Sequence, residues 1–84
     1  NKAAFEERKQ WNKEIKRSEV KIEKLESEIA DCEQKIADDE GKMATGTISD
    51  ELLKEYDEAK KRLEACMAEW EEENERLENL KAKI

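Results

Sequence analysis

Apolar residues recur in the first half of the chain with the 4–3 alternation of a coiled-coil face. One set is spaced by seven residues, with a second set between its members: Ile15, Ile22, Ile29, Ile36 and Met43, then Trp11, Ser18, Leu25, Cys32 and Asp39. The second half repeats both sets: Tyr56, Leu63, Trp70, Leu77 and Ile84, then Leu52, Ala59, Cys66, Glu73 and Leu80. Each half therefore predicts one long helix.

The segment between the two patterns has the composition of a turn. Gly46 can adopt the left-handed conformation that ends a helix. Ser49 is a good N-cap, and two acidic residues follow it where the helix dipole favours negative charge; Thr47 is the alternative cap. The sequence predicts helices near 3–44 and 49–84 joined by a turn at 45–48. At 1.5 Å per residue the arm should be about 50–60 Å long.

Two long helices joined by a short turn must pack antiparallel. We therefore predict an all-α fold, a two-helix antiparallel coiled-coil hairpin, as a single domain over 1–84. The chain starts with Asn rather than Met, so we expect a fragment of a larger protein. Placing Met43 opposite Leu52 predicts facing residues whose numbers add to 95. That register pairs Ser18 with Leu77, Ile29 with Cys66 and Trp11 with Ile84; it leaves two poor layers, Ile22 with Glu73 and Asp39 with Tyr56.

Composition agrees with long helices rather than a globular core. The chain has no Pro, and 49% of its residues are charged while 36% are hydrophobic. It contains no apolar run of about 18 residues and no signal-peptide pattern, so we expect a cytoplasmic protein with no membrane contact. Cys32 and Cys66 have no CxxC spacing and the chain has no His, so we expect reduced seam residues rather than a metal site.

Charge is distributed unevenly along the chain. Residues 1–24 hold eight Lys or Arg and five acids, a net charge of +3, while residues 69–84 hold three bases and six acids, a net charge of −3. The middle, 25–68, has six bases and thirteen acids, a net charge of −7. The hairpin brings the basic start and the acidic end together, which favours the antiparallel arrangement.

No residue pattern points to catalysis or to a cofactor. The chain has no P-loop, no His and no activated serine, so we expect no enzyme activity, no metal and no cofactor in this domain. The candidate site is instead a basic strip that could meet a phosphate backbone. The alternative is that its cations face the acidic end of the second helix. The strip consists of Arg8, Lys9, Lys13, Lys16 and Arg17.

Three stretches resemble the C-terminal domain of ABC-F (Uup-like) ATP-binding cassette proteins. Residues 5–16 read FEERKQWNKEIK, the tip carries Met43-Ala44-Thr45 and Ser49-Asp50, and residues 63–72 read LEACMAEWEE. The tip departs from the family pattern, because Gly46-Thr47-Ile48 stands where Pro-Glu-Gly often follows the Thr. The resemblance implies a soluble parent with two ATPase cassettes, acting on the ribosome or on nucleic acid. The cassettes' ATP-binding residues lie outside this sequence.

Three functions are compatible with these patterns. The first is an appended, non-catalytic arm of such an ATPase that contacts nucleic acid or the ribosome. The second is a structural spacer or oligomerisation coiled coil without nucleic-acid binding, and weak self-association belongs to this alternative. The third is a tRNA-contacting helical arm like that of seryl-tRNA synthetases, whose fold would be the same but whose sequence features are not found here.

Overall fold

The computed structural model describes residues 2–83, which form two antiparallel helices, α1 (Lys2–Ala44) and α2 (Asp50–Ala82). This confirms the predicted all-α hairpin. The molecule measures 68 × 16 × 14 Å. It is longer than the 50–60 Å expected, because the 43 residues of α1 alone span about 65 Å at 1.5 Å per residue. The expected end of the second helix at 84 and the pairing of Trp11 with Ile84 lie outside the described residues.

The turn begins with a glycine-terminated helix end. Gly46 has φ of 91°, and its N–H donates to the Met43 carbonyl at 3.0 Å. The Thr47 N–H donates to the Lys42 carbonyl, also at 3.0 Å. These two bonds form a Schellman motif, which satisfies carbonyls that have no partner within the helix. Gly46 is the one residue of the turn that requires the left-handed conformation.

The second helix begins at the cap that the sequence favours. Ser49 is extended, with φ of −141° and ψ of 160°, and its side-chain oxygen accepts a hydrogen bond from the Leu52 N–H at 3.1 Å. Asp50 and Glu51 occupy the first turn, where negative charge is favourable. Ser49, and not Thr47, is therefore the N-cap.

The two helices pack in a different register from the one predicted. Ser18 Oγ donates a 2.8 Å hydrogen bond to Glu73 Oε1, so their numbers add to 91 rather than 95. The expected pairing of Ser18 with Leu77 is wrong. In the observed register Ile22 lies level with Glu69, next to Trp70, and Asp39 lies level with Leu52. The predicted pairings of Ile22 with Glu73 and of Asp39 with Tyr56 therefore do not form.

The seam is mostly apolar but contains three buried polar side chains. Its buried apolar residues are Ile22, Leu25, Cys32, Leu52, Cys66 and Leu80. Ser18 and Glu73 are buried and satisfy each other, whereas Asp39 is fully buried and neither of its carboxylate oxygens accepts a hydrogen bond from the described residues. Its compensation is electrostatic, because Lys35 Nζ lies 3.5 Å from Asp39 Oδ1. Such polar positions specify register more than they add stability.

One edge of the hairpin is lined by complementary charges. Lys35 Nζ lies 3.1 Å from Glu55 Oε2, and Arg62 lies 3.8 Å from Glu28 Oε2. The residue numbers of both pairs add to 90, and the oppositely charged Glu14 and Arg76 stand at the same spacing. Exposed pairs of this kind each contribute only about 0–1 kcal/mol to stability. Their main effect is on register, because a shift of one helix along the other would separate these opposite charges.

The described residues contain no helix that could span a membrane. Within residues 2–83, neither α1 nor α2 is both long enough and apolar enough to cross a bilayer.

Candidate nucleic-acid interface

Four of the five predicted site residues lie together on α1. Arg8, Lys9, Lys13 and Lys16 line one open cleft of about 560 Å³ on the outer surface of the helix. Residues three, four, seven or eight positions apart share a helix face, which is why the cleft is continuous. All four side chains are exposed, so their cationic groups are available to a ligand.

Arg17 is separated from this group. It lines a different cleft, on the edge where α1 meets α2, together with Ser18, Lys21, Glu73 and other residues of that edge. The structure therefore brings together four of the five predicted cations. We call Arg8, Lys9, Lys13 and Lys16 the basic face.

The basic face has no ion-pair partner within residues 2–83. None of its four cations lies within 4.0 Å of an acidic group there. The neighbouring Lys21 behaves differently, since its Nζ lies 3.4 Å from Glu73 Oε2 on α2. Lys21 therefore pairs with the acidic end of the second helix, whereas the four cations of the basic face make no such ion pair within residues 2–83.

The helix register explains why these cations are unpaired. With facing numbers adding to about 91, Lys83 at the end of α2 reaches only the level of Arg8. Residues 2–7 of α1 therefore extend past the described part of α2. Farther along, Lys9, Lys13 and Lys16 are exposed and line a cleft formed by α1 residues alone, so they lie away from the seam.

Two residues of the cleft were not among the predicted site residues. Phe5 and Asn12 line it together with the four cations, and Phe5 is 68% exposed. Phe5 lies four residues before Lys9 and eight before Lys13, so its helical spacing could have placed it on this face. It was overlooked because it stands outside the heptad pattern of apolar residues.

The cysteines lie in the seam and form no part of this surface. Both are free and buried. Burial raises the pKa of the Cys66 thiol, and the 3.2 Å hydrogen bond that the thiol donates to the Glu28 carboxylate raises it further. A raised pKa disfavours the thiolate, which is the form that reacts and that binds metals. Among residues 2–83, no three His, Cys, Asp or Glu side chains are grouped so that they could hold a metal ion.

One known protein family matches the chain over most of its length. The family model described as "ABC transporter C-terminal domain" matches residues 3–75, which is most of both helices and the whole turn. No curated protein and no solved structure is significantly similar to the chain. The chain belongs to the ABC transporter C-terminal domain family, so it is an appended domain of an ABC protein.

Proposed function

We propose that this domain is the non-catalytic arm of an ABC-F-type ATPase in the cytoplasm, and that its basic face contacts nucleic acid, either free or within the ribosome. The observation that carries the proposal is the basic face itself: four exposed cations on one helix surface with no acidic partner in the described chain. The resemblance of residues 5–16 and 63–72 to ABC-F arms supports the choice of parent.

The charge distribution supports a polyanionic ligand that approaches from one end. Lysine and arginine side chains bind phosphates and release the counterions condensed on nucleic acid, which favours association. The rest of the chain opposes this, because the overall net charge is −7 and the stretch 25–68 alone carries −7. A polyanion would therefore meet the arm at the start of α1 and be repelled along its middle.

The side chains of the arm suit binding rather than catalysis, so we assign different roles to the arm and to its parent protein. The basic face offers positive charge and hydrogen-bond donors, and the chain has no His, the commonest general base. We propose that the parent's cassettes hydrolyse ATP, and that the arm holds them against the nucleic acid or ribosome. The rigid seam between α1 and α2 suits this role, because it keeps the basic face at a fixed distance from the tip.

Binding of the 84-residue chain to fluorescently labelled RNA and DNA, single-stranded and duplex, tests the proposal. The Lys9→Gln, Lys13→Gln, Lys16→Gln triple variant should lose most of the affinity. The matched control replaces Lys54, Lys60 and Lys61 on α2 with Gln, which changes the net charge equally away from the basic face. Equal losses in both variants, or no binding by the unmodified chain at low salt, would overturn the proposal in favour of a spacer or oligomerisation role.

A further inference from the structure

The edge of the hairpin opposite the complementary charges carries an open apolar cleft. It has a volume of about 320 Å³ and is lined by Ile29, Met67 and Trp70, with Glu26 and Glu33 also contributing. Met67 is 49% exposed, and Trp70 is only half-buried. The cleft is thus an apolar depression bounded by two carboxylates seven residues apart on α1.

The start of α1 presents the matching arrangement. Phe5 projects from the surface with 68% of its area exposed. Lys2 and Lys9, which are also seven residues apart, stand on either side of it along the helix. Lys2, Phe5 and Lys9 share one face, because they are separated by three and four residues. An aromatic side chain between two cations therefore corresponds in spacing to an apolar cleft between two carboxylates.

We propose that two copies of this chain associate through these surfaces, with Phe5 of each copy seated in the Met67–Trp70 cleft of the other. The α1 helices would then run antiparallel, which places Lys9 of one copy beside Glu26 of the other, and Lys2 beside Glu33. The two contacts are equivalent by a two-fold axis, so the interface is isologous and closes as a dimer. The docked Phe5 ring would cover apolar surface that the hairpin leaves exposed.

The residues between the two contacts are compatible with this arrangement. When Lys9 faces Glu26, the same antiparallel register places Lys16 opposite Glu19 and Asn12 opposite Glu23. Phe5 then lies level with Ala30, a small residue that leaves room for an aromatic side chain above the cleft. Among the pairs of this contact face, Lys2–Glu33, Lys9–Glu26, Asn12–Glu23 and Lys16–Glu19, no acid faces an acid and no base faces a base. Charge complementarity of this kind specifies one partner orientation over others.

This inference does not rest on the proposed nucleic-acid role, but the two are linked. The dimer contact would use Lys9 and Lys16, which belong to the basic face. Nucleic acid and a second copy would therefore compete for the same surface. Lys13 lies outside the dimer contact, so Lys13→Gln should affect nucleic-acid binding and leave association unchanged, which separates the two proposals experimentally.

Sedimentation equilibrium of the chain at low salt over a range of concentrations measures the association. We expect a monomer–dimer equilibrium, weakened about tenfold or more by Phe5→Ala, since buried aromatic anchors dominate interfaces. Val20→Ala is the matched control, because Val20 is also an exposed apolar residue of α1, at 49%, but falls outside the contact. A mass that remains that of the monomer up to a chain concentration of about 1 mM would overturn the proposal. Equal effects of the two substitutions would also overturn it.

Charge reversal gives a test that does not depend on loss of association alone. The Lys2→Glu, Lys9→Glu variant and the Glu26→Lys, Glu33→Lys variant should each remain monomeric, because like charges would face each other. Mixed in equal amounts they should form a heterodimer, since opposite charges then meet at both contacts. Circular dichroism of each variant checks that the hairpin is retained. Failure of the folded variants to associate on mixing would contradict the interface.

Discussion

Ser18 Oγ lies 2.8 Å from Glu73 Oε1, and this hydrogen bond joins the two helices in the half of the seam nearer the open end of the hairpin. Both side chains are buried, and Lys21 approaches the same carboxylate from the surface, with its Nζ 3.4 Å from Oε2. The pair therefore holds α1 and α2 at one relative position. A shift of the helices would bury the Glu73 charge without its partners, which is costly.

A double-mutant cycle on this pair tests the register. Ser18→Ala and Glu73→Leu should each destabilise the hairpin by about 0.5–1.5 kcal/mol, because each removes the side-chain hydrogen bond. The loss stays moderate because Lys21 still reaches Glu73, and the residue-73 carbonyl lies 3.4 Å from Ser18 Oγ. The double variant should be near neutral or more stable, since a matched apolar pair removes both polar groups from the seam. Urea unfolding followed by circular dichroism gives the free energies. Strictly additive effects would show that the two side chains do not interact.

Acidification should weaken the hairpin through Glu73. Burial by itself would raise the pKa of this carboxyl, but the hydrogen bond from Ser18 and the charges of Lys21 and Arg76 outweigh burial, so the pKa lies below its usual 4.5. A lowered folded-state pKa contributes stability that is present above pH 4.5 and is lost as pH falls through the folded value.

The Glu73→Gln variant isolates this contribution from the other carboxylates. Its amide oxygen can still accept from Ser18 but cannot titrate. The difference in unfolding free energy between the unmodified chain and the variant should therefore be constant above about pH 5 and shrink below pH 4.5. A difference that stays constant down to pH 2 would mean that Glu73 has no lowered pKa in the folded hairpin.

The apolar seam should respond unequally to truncation. Leu25→Ala should cost about 2–4 kcal/mol, because Leu25 is only 5% exposed and its removal leaves a cavity. Leu63→Ala should cost less, since Leu63 is half-buried and water can reach the vacated space. Thermal unfolding of both variants gives the ranking. A larger loss from Leu63→Ala would place the tightest packing elsewhere in the seam.

The two cysteines should stay reduced and react slowly. In the observed register Cys66 lies level with Leu25 and Cys32 with Ala59, about one heptad apart and too far for a disulfide. Because the pKa of Cys66 is raised by burial and by Glu28, Glu28→Gln should speed its alkylation at neutral pH. Mass spectrometry after timed alkylation measures the rate. A disulfide in the unfolded, unreduced chain would contradict this packing.

The heptad pattern was sufficient to predict the hairpin but not its register. The alternation that includes Ile15, Ser18 and Ile22 defines which face of α1 packs against α2. It does not define the register, because apolar residues of the two helices still meet when α2 is shifted by half a heptad. Placing Met43 opposite Leu52 leaves fewer residues between the facing positions than the structure has. With the Schellman motif and the extended Ser49, Asp39 rather than Met43 lies level with Leu52. The charges on the flank, Glu28 with Arg62 and Lys35 with Glu55, carry the missing information.

The candidate site was predicted in part for a related reason. Spacing alone grouped Lys9, Lys13 and Lys16, because residues on one helix face need no tertiary information. It could not separate Arg17 from them, since that depends on where α2 packs. Nor could it show that Lys21, but not Lys16, reaches an acid across the seam.

The salt dependence of nucleic-acid binding tests the functional claim most directly. Each phosphate contact contributes about 0.7–0.9 to the slope of log K against log salt concentration. Replacing Lys9, Lys13 and Lys16 with Gln should therefore flatten the slope by about 2–3, while the control variant at Lys54, Lys60 and Lys61 keeps the slope of the unmodified chain. Binding whose slope is the same in all three proteins would contradict the assignment of the basic face as the nucleic-acid interface.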